Sequence, residues 1–264
     1  MHLRVLLEYE GTRYHGWQAQ PIGGTIQQVV EEAIRSITGE CPRVRGAGRT
    51  DAGVHAAGQV ADFRLAREDL DPSRLLRSLN GVLPKDVAVL KCDRAPEGFN
   101  AQTWARAKTY RYTILNRRQR TALERRFCWH RAAPLDVAAM RLGAACLIGE
   151  HDFSAFRAAD GDGARRVQTL TRLEIDRDGE GFLRFTLTAT CFLKHMVRVI
   201  VGTLAWVGVG RIPPGRVAEI LASRDRTKAG QTVPPGGLVL AHVQYDDGFG
   251  DRPRTPVEET PPSR

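Results

Sequence analysis

The segment Gly46-Ala47-Gly48-Arg49-Thr50-Asp51-Ala52-Gly53-Val54-His55 sets an aspartate between glycines at a strand-to-loop transition, with an arginine two residues before it. Glycines at such a place let another backbone or a nucleotide approach closely. An aspartate has a reference pKa of ≈ 3.9, so the carboxylate of Asp51 is expected to be ionised at neutral pH. It could then act as a nucleophile or remove a proton. Asp-Ala-Gly is also an ordinary turn, and on residue types alone the structural reading is the stronger one. Arg49 could bind a phosphate or make a surface salt bridge.

Four further blocks stand in order along the chain: Gly11-Thr12-Arg13-Tyr14-His15-Gly16-Trp17-Gln18-Ala19-Gln20-Pro21, Lys108-Thr109-Tyr110-Arg111-Tyr112, Phe192-Leu193-Lys194-His195-Met196-Val197-Arg198, and Pro234-Pro235-Gly236-Gly237-Leu238. By pattern alone, Tyr110 is a core tyrosine on an alternating strand. Arg198, beside Met196, Val199, Ile200 and Leu204, snorkels from an apolar helix face. Together with the Asp51 segment, however, the blocks resemble the tRNA pseudouridine synthase A family over about residues 3–246, and several separately placed blocks agreeing by chance is far less probable than any one of them.

The resemblance implies an isomerase that converts uridine to pseudouridine in the tRNA anticodon stem-loop, at positions 38, 39 and 40. It also implies a homodimer and RRM-like halves around a cleft. It puts the catalytic aspartate at Asp51, a base-stacking tyrosine at Tyr110 and an active-site ion-pair partner at Arg198; Arg49, beside Asp51, is then read as an RNA contact, reaching into the RNA or binding a phosphate, in preference to a surface salt bridge. The reaction breaks the bond from ribose C1′ to uracil N1 and joins C1′ to uracil C5, so no cofactor or metal is expected. Attack at C1′, attack at uracil C6 and formation of a glycal all remain open roles for the carboxylate. The target base must leave its stack, which suits an aromatic ring face. His55 and His195 are read as hydrogen-bonded structural histidines. The chain departs from the family's usual Phe-His-Ala-Arg at Phe99-Asn100-Ala101-Gln102, and from its usual Asn at Val199. Two alternatives stand beside this reading: a synthase acting on another tRNA site or structured RNA, and a non-catalytic RNA-binding protein.

These residues need a frame. Leu3, Val5, Leu7 and Tyr9 alternate as a strand does, and Ile26 to Ile37 repeat at helical spacing behind a capping box of Thr25 and Gln28, with Gly39 as the stop. Residues 43–65 read as two strands around a Gly-rich turn, 72–83 as a helix and 86–91 as extended. The order restarts with a strand at 109–115 and a helix at 135–147. Strands at 167–176 and 182–190 follow, then helices near 193–207 and 217–223 and a strand at 238–245. The expected fold class is α+β, two RRM-like (β-α-β-β-α-β) halves with antiparallel sheets around a central cleft. Residues 1–105 form an N-terminal α+β domain carrying Asp51, residues 106–247 a C-terminal α+β domain, and residues 248–264 a disordered tail, polar and rich in Pro and Gly.

Bulk properties agree with a nucleic-acid partner. The chain has 264 residues and a formal net charge of +9, carried almost wholly by arginine, whose planar fork suits phosphates and bases. Arg117, Arg118, Arg120, Arg125 and Arg126 either track a tRNA backbone or form a solvated face. Five scattered cysteines lack zinc-ligand spacing and read as reduced thiols. No apolar run approaches a membrane span and the start reads as a strand, so a cytoplasmic protein without membrane association is expected.

Overall fold

The computed structural model describes residues 1–159 and 166–252. The N-terminal half contains β1 (His2–Tyr9), α1 (Ile26–Thr38), β2 (Arg45–Gly46), β3 (His55–Arg64), α2 (Pro72–Val82) and β4 (Val87–Arg94). Local chemistry sets both helices. The side chain of Thr25 accepts from the Gln28 backbone N–H, Gln28 caps in return, and Gly39 ends α1 in the left-handed region at φ 77°. Asp71 caps α2 by accepting from the N–H groups of Ser73 and Arg74, with Pro72 at the first helical position, where its missing N–H has no helical partner to lose.

The C-terminal half repeats the plan with β5 (Ala107–Leu115), α3 (Val137–Ala145), β8 (Val167–Arg177), β9 (Phe182–Ala189), α4 (Met196–Gly208) and β10 (Leu238–Gln244). Added to it are β6 (Trp129–His130) beside β5, β7 (Gly149–Asp152) on the outer edge of β8, and α5 (Arg216–Ser223). Spatial order shows the duplication. The first half runs β4-β1-β3-β2 and the second β10-β5-β9-β8, which is the order fourth, first, third, second in each. The two sheets join at a seam where β10 runs parallel to β3, Val239 opposite His55 and Leu240 opposite Ala56. On its other side β10 pairs antiparallel with β5.

The seam explains why the first of the two strands expected over residues 43–65 shrinks to two residues. One edge of β3 is shared: its start belongs to β10, and only Ala61 and Asp62 further along meet Gly46 and Arg45. Residues 47–54 are thereby left as irregular backbone between the two partners, which is where Asp51 sits.

The expected tail begins too early. Phe249 is buried beneath the guanidinium of Arg4, 4.1 Å from the ring centroid, and Arg4 also pairs with Asp247. A single aromatic in a polar stretch is enough to hold residues 248–252 against the first sheet, since a phenyl ring buries a large apolar area and its face attracts a cation. The rest of that expected tail, residues 253–264, lies outside the described residues.

Candidate active site

Residues 50–54 are held from two sides. Trp17 N–H donates to the Thr50 carbonyl at 3.0 Å, Gly53 N–H donates to the Tyr14 carbonyl at 3.3 Å, and the hydroxyls of Tyr9 and Thr50 meet at 2.8 Å. Gly16 makes this approach possible. It lies at φ +83°, and a Cβ there would stand 2.5 Å from the Thr50 carbonyl oxygen, so a larger residue would push the Asp51 backbone away. The block at residues 11–21 is thus a brace for the aspartate loop.

From the other side comes the Pro-Pro-Gly-Gly block. Gly236 and Arg126 carbonyls both accept from His55 Nε2–H, at 3.1 and 2.9 Å, while His55 Nδ1 accepts from Gly11 N–H at 2.9 Å. Every ring nitrogen of His55 is satisfied as the neutral imidazole, and burial holds its pKa below the ordinary value. His55 is therefore structural, a pin joining both halves through residues 11, 126 and 236.

Asp51 Oδ2 receives Arg198 Nη1–H at 2.9 Å, while Arg198 Nε–H donates to the Val233 carbonyl at 2.8 Å. Arg198 comes from the first turn of α4, so the guanidinium ties the second half's helix to the first half's loop across the seam. His195 also reaches Asp51, with Nε2 3.5 Å from the same Oδ2. It precedes α4 in a left-handed conformation at φ 65°, which a side chain other than glycine adopts only when its surroundings hold it there. α4 accordingly begins three residues later than its apolar pattern suggested. The sequence reading set His195 aside as structural; its spacing of three from Arg198, placing both at the same helix end, was the available signal.

Tyr110 is buried, and its ring meets Phe192 edge-on with centroids 5.0 Å apart. Burial pushes its phenol pKa up, so the ring stays neutral. Asp51, Arg198, Tyr110, His195 and the exposed Arg49 line one cleft of about 920 Å³. Gln18, Gln102 and Lys108 line it as well. The carboxylate side chain is 26% exposed there, so it is open to a ligand while held in place by one guanidinium. The arginine run does not line this cleft. Arg117 donates to the Gln119 carbonyl, Arg125 to that of Ala122, and Arg126 pairs with Glu10 at 3.1 Å.

Comparison with known proteins agrees with this architecture. The family model described as tRNA pseudouridine synthase matches residues 6–102 and 144–246. The chain belongs to this family, whose members are isomerases. Among its relatives, the tRNA pseudouridine synthase A of Myxococcus xanthus is 50% identical over 246 residues, covering 93% of this chain and 92% of the relative. That of Thermoanaerobacter sp. (strain X514) is 43% identical over 244 residues, 92% and 99% of the two chains. The tRNA pseudouridine synthase A 2 of Clostridium perfringens is 42% identical over the same length. Asp51 and Arg198 fall in the two matched stretches, whereas Lys108 and Tyr110 lie between them. No helix of the described residues is long and apolar enough to cross a membrane, and no cluster of His, Cys, Asp and Glu among them could hold a metal ion.

Proposed function

We propose that the protein isomerises uridine to pseudouridine in the anticodon stem-loop of tRNA, at positions 38, 39 and 40, with Asp51 as the catalytic carboxylate. The observation that carries this reading is the Asp51–Arg198 contact of 2.9 Å at a wall of the cleft that Tyr110 also lines. Arg198 keeps the carboxylate oriented, and Tyr110 offers a ring against which an extruded uracil can lie while its edge turns. Arg49, exposed at the same cleft, contacts the RNA. The isomerisation exchanges a C–N bond for a C–C bond with no net oxidation, so the chain's own residues suffice and no cofactor enters its balance. The protein acts in the cytoplasm as a homodimer, in which a second copy extends the basic surface for the tRNA.

Tritium release from tRNA labelled at uracil C5 tests the reaction, because that hydrogen leaves when C5 joins the sugar. The parent is expected to release it and Asp51→Asn is expected not to, at equal tRNA binding. Product mapping tests the target. Gln102 lines the cleft where the family commonly has arginine, and this favours a shifted choice of uridines as the second reading.

A further inference from the structure

Lys108 sits two residues before Tyr110 on β5, and the alternation of that strand puts both side chains on the face that lines the cleft. It is 7% exposed. Its chain runs beneath Gly48, where a Cβ would stand 3.6, 3.7 and 3.8 Å from Cδ, Cε and Nζ. Among the described residues its ammonium has neither a hydrogen-bond acceptor nor a carboxylate partner. Burial lowers its pKa, the usual response of an ammonium held out of water. A chain that uses arginine for nearly all its cations thus keeps a compact, largely buried lysine in the cleft, with no hydrogen-bond acceptor or carboxylate on its ammonium and the exposed Cys191 thiol as the neighbour it interacts with electrostatically. Such a group is costly to hold unless an anion arrives to meet it.

On the reading given above, every open route supplies that anion. When C1′–N1 breaks, the bonding pair stays with the uracil, whose charge spreads over N1, O2 and O4. If Asp51 first adds to C6, the charge appears on C5 and O4 instead. C5 then gives a pair to C1′, displacing the Asp51 carboxylate where it is bonded there, or with the sugar recovering its proton from Asp51 where a glycal formed; the C5 proton departs to solvent, its electron pair expelling Asp51 from C6 where it had added, and N1 takes up a proton. The negative charge therefore exists only between the two ends of the reaction, the condition under which a fixed cation lowers a barrier without tightening ground-state binding.

We propose that Lys108 is a catalytic residue that donates to a uracil carbonyl oxygen and stabilises the detached or adducted base as an anion. Adjacent in-facing residues of a strand stand roughly 6.6 Å apart, so a base lying on Tyr110 presents its edge oxygens within a lysine's reach. A half-turn about the line through C6 and N3 exchanges O2 with O4. A donor in this position therefore keeps a carbonyl partner before and after the base turns. A phosphodiester contact is the competing role for Nζ, and the salt slope separates the two.

The test compares Lys108→Met, close in shape and uncharged, with Lys108→Arg and Asp51→Asn on full-length C5-tritiated tRNA. Lys108→Met is expected to bind tRNA within about threefold of the parent with an unchanged salt slope, to melt no lower, and to release tritium at least about 100-fold more slowly in a single turnover. Lys108→Arg is expected to recover at least tenfold of that loss. Release by Lys108→Met within about threefold of the parent overturns the proposal. So does a loss confined to affinity with the salt slope reduced by about one, the mark of a phosphate contact, or a melting temperature lowered by several degrees with the activity. If Asp51→Asn turns over normally, the reading of the site itself falls. If Asp51→Asn is inactive while Lys108→Met is normal, only the role of Lys108 does.

Discussion

Two side chains from the start of α4 in the second half converge on one carboxylate oxygen of Asp51 in the first: Arg198, which also donates to the Val233 carbonyl, and His195, held in a left-handed conformation just before the helix. Replacing Asp51 by Asn keeps its volume and removes its charge. Turnover is expected to fall by at least about 1000-fold, or ~4 kcal/mol of transition-state stabilisation, with tRNA affinity nearly intact. Activity within about tenfold of the parent in the folded variant would exclude Asp51 as the catalytic group. Tyr110 tests a different property. The ring face is what holds a base, so Tyr110→Phe should stay within about tenfold of the parent while Tyr110→Ala loses about 1–3 kcal/mol of stacking. Equal losses in single-turnover assays of the two variants would show that the hydroxyl is what matters. Asp51, Tyr110 and Arg198 were legible in the sequence only as members of ordered blocks, since each has a commoner structural role at its own position. Lys108 was legible in register alone: the alternation Lys108, Tyr110, Tyr112 turns it inward, but nothing local says that the interior it faces is a cleft.

At the scale of elements, what the sequence showed best was whatever short-range bonds decide, such as the capping box of α1 and the Asp71 cap of α2. It overread β2 and missed β7, because both depend on distant partners. The edge of β3 is taken by β10 from nearly 200 residues away, and the polar Gly149–Asp152 becomes a strand only by pairing with β8. Phe249 was missed for the same reason, its contacts being Arg4 and Lys91. Phe249→Ala is expected to cost about 3–5 kcal/mol, the usual range for a buried phenyl; an unchanged urea midpoint would show that the segment does not contribute. His55 gives a pH dependence whose sign is fixed by geometry. Nδ1 accepts from Gly11 N–H, so a second ring proton would set donor against donor. Its folded pKa lies below the ordinary 6.5, so between those two values the unfolded chain binds more protons and stability falls as pH drops below about 6.5. His55→Gln should be less stable at neutral pH but lose that acid slope, checked by urea midpoints from pH 7.5 to 5. An identical slope in the variant would assign it to other groups.

For the whole molecule, a net charge of +9 facing a polyanion makes binding a counterion-release equilibrium. The tRNA affinity should drop at least about tenfold between about 50 and 200 mM salt, with slope set by the number of phosphates neutralised and little dependence on base sequence. A flat dependence measured by filter binding would mean that the basic surface is not the docking surface. Sedimentation at micromolar concentration is expected to show a dimer, and a fully active monomer would refute the two-copy arrangement. The seam itself sets an order of events during synthesis. β10 is the last strand among the described residues to leave a ribosome, and Val233, the anchor for Arg198, emerges only just before it. A nascent chain arrested short of Leu238 therefore carries two open strand edges, on β3 and β5, the kind of edge that invites mispairing. Its aspartate loop also still lacks its brace from residues 234–237. The candidate pocket is completed only when β10 has emerged, and proteolysis of ribosome-bound chains of increasing length should register that moment as a sharp gain in resistance once residue 244 has cleared the exit tunnel.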